Sequence, residues 1–144
     1  MTATPNIRWL IKGMSSVNRF WFRATGGRIG GKIGGVPILL LTTTGRRSGA
    51  SRTAPLMYLE DAGRFVVVAS NAGDDRHPAW WLNLRKTPQA EVEIGTRRLR
   101  VRGRQASTDE HAKLWPKLVA LYSAYDVYRT RTRREIPIVV LERA

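Results

Sequence analysis

Glu91-Val92-Glu93-Ile94-Gly95-Thr96-Arg97-Arg98-Leu99-Arg100-Val101-Arg102 reads as two strands folded back on a glycine. Polar and apolar side chains alternate along both arms, the period of a strand with one dry and one wet face. Gly95 falls where a tight turn needs a backbone free of Cβ constraint. The same kind of signal recurs on either side. Val36 to Thr43, Thr53 to Glu60 and Arg64 to Ser70 are β-branched or apolar runs, the last two joined by Asp61-Ala62-Gly63, and Ile136 to Leu141 makes a final strand. Two helices interrupt the set. One runs from Pro78 to Lys86, with proline suited to a first turn; the other runs from Thr108 to about Tyr122, opened by Ser107 and Glu110 as a capping box. Pro116 predicts a kink or a restart in the second. Six strands in hairpins, without regular strand-helix alternation, predict a small antiparallel barrel in a mainly β, α+β chain.

A length of 144 residues with 42% hydrophobic composition suits one domain with a proper core. We place that domain over residues 36–144, behind a segment 1–35 of different character. Within the segment, Ile7, Leu10, Ile11, Met14, Val17 and Trp21 recur at helical spacing, flanked by Arg8, Lys12, Arg19 and Arg23. The pattern over residues 6–23 is a basic amphipathic helix, suited to an anionic membrane surface or to docking on protein. It is too short and too polar to span a bilayer. The glycine pairs 26–27, 30–31 and 34–35 then read as a flexible connector. Absence of cysteine excludes disulfides and thiolate metal sites, and with only His77 and His111 the expectation is that no metal is bound.

Charge is distributed unevenly. Twenty-five basic residues against 11 acidic ones give +14, yet no aspartate or glutamate precedes Glu60. Such a field attracts anions of many kinds. The sharpest basic cluster is Gly45-Arg46-Arg47-Ser48-Gly49 followed by Arg52, at the end of an apolar strand. Three guanidinium groups on a glycine-hinged turn suit phosphate or carboxylate. A specific nucleic-acid role is not expected, because neither a recognition helix nor a stacking motif accompanies the charge.

Several stretches in one order carry a resemblance: Leu41 to Gly49, Arg52 to Leu56, Val67 to Gly73, His77 to Leu84, and Tyr122-x-x-Tyr125-x-x-Tyr128 followed by Arg134-x-Ile136 to Val140. Together they resemble the deazaflavin-dependent nitroreductase family of actinobacteria, from about Pro37 to the C-terminus. The resemblance implies a split β-barrel of the FMN-binding type that binds reduced coenzyme F420 and passes its hydride to a quinone, a nitroaromatic or a similar acceptor. The coenzyme's phosphodiester and oligoglutamate tail are anionic, which gives the basic front of the chain a concrete partner. By position, the resemblance places Arg46, Arg47, Ser48 and Arg52 at phosphate and tail carboxylates, and Thr53, Ala54, Pro55, Leu56 and Met57 along the ring pocket. Val68, Ala69, Ser70 and Asn71 fall beside the deazaflavin, as do Ala79, Trp80, Trp81, Leu82 and Asn83. Tyr125 corresponds to the tyrosine over the acceptor, with Tyr122, Tyr128 and Met57 around the substrate. Arg47 and Asn71 stand in place of lysines and Met57 in place of a tyrosine, which reshapes the acceptor pocket.

The expectation is therefore a cytoplasmic oxidoreductase, with peripheral attachment to the inner face of the membrane through residues 6–23 left open beside docking of that helix on protein. A homodimer is left open. The alternative is an F420- or lipid-binding protein without turnover.

Overall fold

The structure, a computed structural model, describes residues 32–33 and 36–144. The helix expected over residues 6–23 lies outside the described residues. Eight strands are present among the described residues where six were expected. Strand β1 (Lys32–Ile33) falls within the glycine-rich connector and pairs with the start of β2 (Val36–Thr44). Next come β3 (Ser51–Met57), β4 (Leu59–Asp61), β5 (Arg64–Val68), β6 (Gln89–Ile94), β7 (Arg97–Gln105) and β8 (Ile138–Arg143). Helix α1 (Ala79–Lys86) precedes β6, while α2 (Thr108–Leu121) and α3 (Ala124–Arg131) lie between β7 and β8.

Every pairing is antiparallel, and the strand order is β1-β2-β6-β7-β8-β5-β4, with β3 also on β2. The run from Thr53 to Glu60, expected as one strand, divides at Tyr58. Its first half pairs with β2 and its second with β5, so one segment serves two distant parts of the sheet. The Tyr58 N–H extends the β2–β3 register by one residue, donating to Pro37 O at 3.2 Å, before the chain passes to β5. Strand β3 then lies against β5 without a hydrogen-bonded ladder. The sheet closes on itself except along that seam, which makes it a split barrel.

Strands β2, β5 and β8 are buried on both faces, which explains their continuous apolar runs. Leu39, Leu41, Phe65, Val67, Val139 and Leu141 meet Trp80, Trp81 and Leu84 of α1. Their alternates, Ile38, Leu40, Val66, Val68, Ile138 and Val140, meet Leu114, Leu118, Tyr122, Tyr125 and Tyr128 of the C-terminal helices. Helix α2 opens with the expected capping box, Ser107 accepting from Glu110 N–H and Glu110 accepting from Ser107 N–H. It continues through Pro116 without restarting. Helix α3 was not expected as a separate element, although the tyrosine spacing traced its face.

Candidate functional site

The turn between β2 and β3 is built by hydrogen bonds that its sequence prescribes. Gly45 N–H donates to Ala50 O at 2.8 Å, Gly49 N–H donates to Gly45 O at 2.9 Å, and Ser48 Oγ accepts from Ala50 N–H at 3.1 Å. Gly49 has φ of 74°, the left-handed region where glycine carries no Cβ penalty. Below the turn, the Thr42 and Thr53 hydroxyls meet at 2.9 Å across the ladder.

Against this turn stands helix α1. The two enclose a cavity of about 400 Å³ lined by Arg46, Arg47, Ser48, Arg52, Thr53 and Ala54 on one side and by Ala79, Trp80 and Asn83 on the other. Nine of the residues proposed from sequence therefore share one space, with Gly45 completing its wall. Trp80, Ala54 and Ala79 supply apolar surface, and the arginines supply charge. No carboxylate among the described residues pairs with Arg46, Arg47 or Arg52. Some other arginines are paired closely: Arg64 lies 3.1 Å from both Asp61 and Glu110, and Arg104 bonds Glu110 at 2.7 Å and Glu142 at 3.1 Å. Three adjacent guanidiniums around a cavity, without carboxylate partners among the described residues, suit an anion. Among the described residues no group of acidic or histidine side chains is placed to hold a metal.

The remaining sequence-proposed residues lie elsewhere, for a simple reason. Side chains alternate along a strand, so the later residues of β3 and those at the end of β5 divide between the two sides of the sheet. Ala54 and Leu56 of β3 face the Trp80 side, whereas Met57 joins the tyrosine side. Val68 likewise packs with the tyrosines and Ala69 with Trp80. Pro55, Ser70 and Trp81 are buried, and Leu82 and Asn71 are half-buried. Asn71 and Ala72 have φ of 44° and 55°, unusual values for residues other than glycine.

Tyr122, Tyr125 and Tyr128 form a mutually edge-on trio with ring centroids 5.2–6.4 Å apart. The Tyr122 and Tyr128 hydroxyls are 3.1 Å apart. Burial, with the neighbouring phenols adding to it, pushes Tyr122 and Tyr125 well above the ordinary tyrosine range, so both stay protonated at neutral pH. Met57 and Val68 pack in the same cluster.

Sequence reasoning missed two contributors. Lys86 Nζ donates to Arg46 O at 2.8 Å. Nothing in its spacing signals this contact. Arg134 holds the loop after β5, donating to Ala69 O, Ser70 O, Asp74 O and Glu135 O at 2.8–3.3 Å and bonding His77 Nδ1 at 3.2 Å. Only its place in the fold reveals this.

A split antiparallel barrel whose arginine-rimmed cavity has an aromatic wall suits a large anionic cofactor. The chain belongs to the F420H(2)-dependent quinone reductase family, whose sequence profile matches residues 15–143. Members of that family are oxidoreductases with reduced coenzyme F420 as hydride donor. An F420H(2)-dependent quinone reductase of Mycobacterium tuberculosis strain H37Rv is 41% identical over 127 residues, which cover 85% of each chain. A solved F420-H2 dependent reductase, FDR-A, superposes with a TM-score of 0.68 at 38% identity, covering 74% of this chain and 94% of that one. A second solved structure, a domain-swapped dimer, gives a TM-score of 0.69 at 36% identity over 86% of this chain and 98% of its own.

Proposed function

We propose that this chain reduces quinones with F420H2, that the cavity between the β2–β3 turn and α1 grips the anionic part of the coenzyme, and that Tyr125 serves the acceptor. The observation that carries the reading is the set of three arginines without carboxylate partners on one cavity rim. Arg46, Arg47, Arg52 and the Ser48 hydroxyl are donors suited to phosphodiester and tail carboxylates. Trp80, Ala54 and Ala79 offer flat apolar surface to a ring system. When bound, F420H2 supplies the hydride. Quinone reduction also needs a proton, and the Tyr125 phenol, kept neutral by burial, holds one at Oη. Arg134 keeps the loop after Val68 in place, and with it the wall between the two clusters.

The family's acceptors are quinones, and a nitroaromatic of similar electron demand suits the same chemistry. Flotation with anionic vesicles tests the membrane role of residues 6–23. We expect recovery of the full chain with the vesicles and its loss when Arg8, Lys12, Arg19 and Arg23 are all changed to glutamate. Equal recovery ends that idea. No helix among the described residues is long and apolar enough to cross a membrane.

The central test is binding and turnover. Protein added to reduced F420 and menadione should restore the oxidised chromophore faster than a protein-free control. Replacing Arg46, Arg47 and Arg52 together by alanine should weaken coenzyme binding at least ~100-fold, since each charge-assisted hydrogen bond is worth roughly 1.5–3 kcal/mol. A folded triple variant with undiminished affinity sinks the assignment. Tight binding without turnover of any quinone or nitroaromatic favours the storage alternative.

A further inference from the structure

Helix α1 fastens the arginine turn as well as facing it. Asn83 Oδ1 accepts twice from Arg46, from its main-chain N–H at 3.1 Å and from Nη1 at 3.2 Å. Asn83 Nδ2 donates to Thr43 Oγ1 at 3.2 Å, which fixes the amide orientation, since the oxygen already faces two donors. One turn later Lys86 donates to the Arg46 carbonyl at 2.8 Å. Arg46 is therefore held at its amide, its carbonyl and one guanidinium nitrogen by a single helix. Asn83 is only 3% exposed, so this contact is part of the interior and not a surface accident.

Neutrality is the unusual property of this arrangement. A carboxylate is the ordinary partner for a guanidinium and would orient it as well. It would also cancel the charge. At Arg64 and Arg104 this chain pins an arginine with carboxylates, whereas Arg134 is held by main-chain carbonyls. At Arg46 it uses an amide oxygen, and from the other side it adds the positive Lys86. Nε and Nη2 of Arg46 are left uncommitted among the described residues.

We infer that Asn83 and Lys86 are positioning residues, a charge-preserving latch that sets Arg46 for an anionic ligand without neutralising it. The inference rests on the reading that the cavity takes an anionic coenzyme, and it predicts that the sign of the latch matters more than its strength. Asn83→Asp keeps both acceptor contacts to Arg46 and strengthens them, while the Thr43 hydroxyl, which can donate as well as accept, turns to the second carboxylate oxygen, so charge is the principal change.

The experiment uses the full chain with two probes, oxidised F420 and inorganic pyrophosphate, and follows both affinity and thermal midpoint. Asn83→Asp is expected to leave the midpoint unchanged or raised, to weaken both probes at least ~10-fold, and to flatten the salt dependence of binding, as loss of one ion contact requires. Asn83→Ala should weaken both probes and lower the midpoint, because Thr43 and the Arg46 amide lose a partner. Lys86→Met should weaken both probes, and Lys86→Arg should restore them. Equal affinities and salt slopes for the wild type and Asn83→Asp overturn the latch. If the wild type binds pyrophosphate but not F420, and Asn83→Asp weakens pyrophosphate, the coenzyme reading falls and the latch stands. Binding of neither probe by the wild type overturns both.

Discussion

Leu84 of helix α1 lies directly over Gly103 of strand β7, so closely that a Cβ on the glycine would stand 2.8 Å from Leu84 Cγ. Leu84 is 1% exposed and has no room to retreat. Gly103→Ala should therefore push α1 away from the sheet. Overpacking of this kind costs roughly 1–3 kcal/mol, which urea unfolding would read as a lower midpoint at unchanged slope. Since α1 also carries Asn83, coenzyme affinity should fall in the same variant. An unshifted midpoint would mean that the contact relaxes at no cost.

Glu110 ties three elements together, capping α2 at Ser107 and bonding Arg104 and Arg64. Arg104, and then the Ser107 amide, hold its carboxyl well below the usual carboxylate range. A folded-state pKa below the unfolded value gives stability that is present above about pH 4.5 and lost as pH falls. Glu110→Ala should cost roughly 1–2 kcal/mol at pH 7, mostly from the lost cap. The difference from wild type should shrink in urea titrations taken below pH 4.

His77 works in a different window. Burial, followed by the charges of Arg134 and Arg85, lowers its pKa from 6.5, and its Nδ1 lies 3.2 Å from Arg134 Nη1. The neutral ring accepts from the guanidinium; a protonated ring would repel it. Its contribution is therefore complete above about pH 6.5 and declines as pH falls through the lowered value. We expect His77→Gln to flatten the stability profile just below about pH 6.5 while leaving the Glu110 region unchanged. A wild-type profile already flat across that interval would remove His77 from the account.

Tyr125 and Tyr122 should separate activity from stability. Tyr122→Phe breaks the 3.1 Å contact with Tyr128 and should destabilise the fold by about 1 kcal/mol. Tyr125→Phe loses no hydrogen bond to another described residue. Its thermal midpoint should be kept while kcat for menadione falls by roughly 100-fold, the lower end of general acid catalysis. The wild-type rate should show no tyrosine-dependent decline up to about pH 9, since burial raises the phenol above its ordinary value of 10.0. An unimpaired Tyr125→Phe enzyme would leave proton delivery to water.

Much of the architecture was legible because its signals are local. The β6–β7 hairpin appears with Gly95 at φ 61°, the β4–β5 turn with Gly63 at φ 78°, and the capping box of α2 as written. The division at Tyr58 was not legible. Residues 53–60 have one continuous character, and only barrel closure decides that the two halves pair with different strands. Helix α3 was hidden by its polar residues, which offer little amphipathic contrast beyond the tyrosines. In the site, the arginine turn announced itself by the absence of acid around it. Lys86 did not, because a side chain bonding a carbonyl forty residues away leaves no trace in spacing.

Trp80, Trp81 and Leu84 seal the inside of the barrel from the same eight-residue helix that fastens the arginine turn. Robustness of the interior and grip on the ligand are consequently inherited together. A lineage that drifts at Leu84 or Trp81 also retunes its affinity, and one selected for a different anion must repack its own centre to follow.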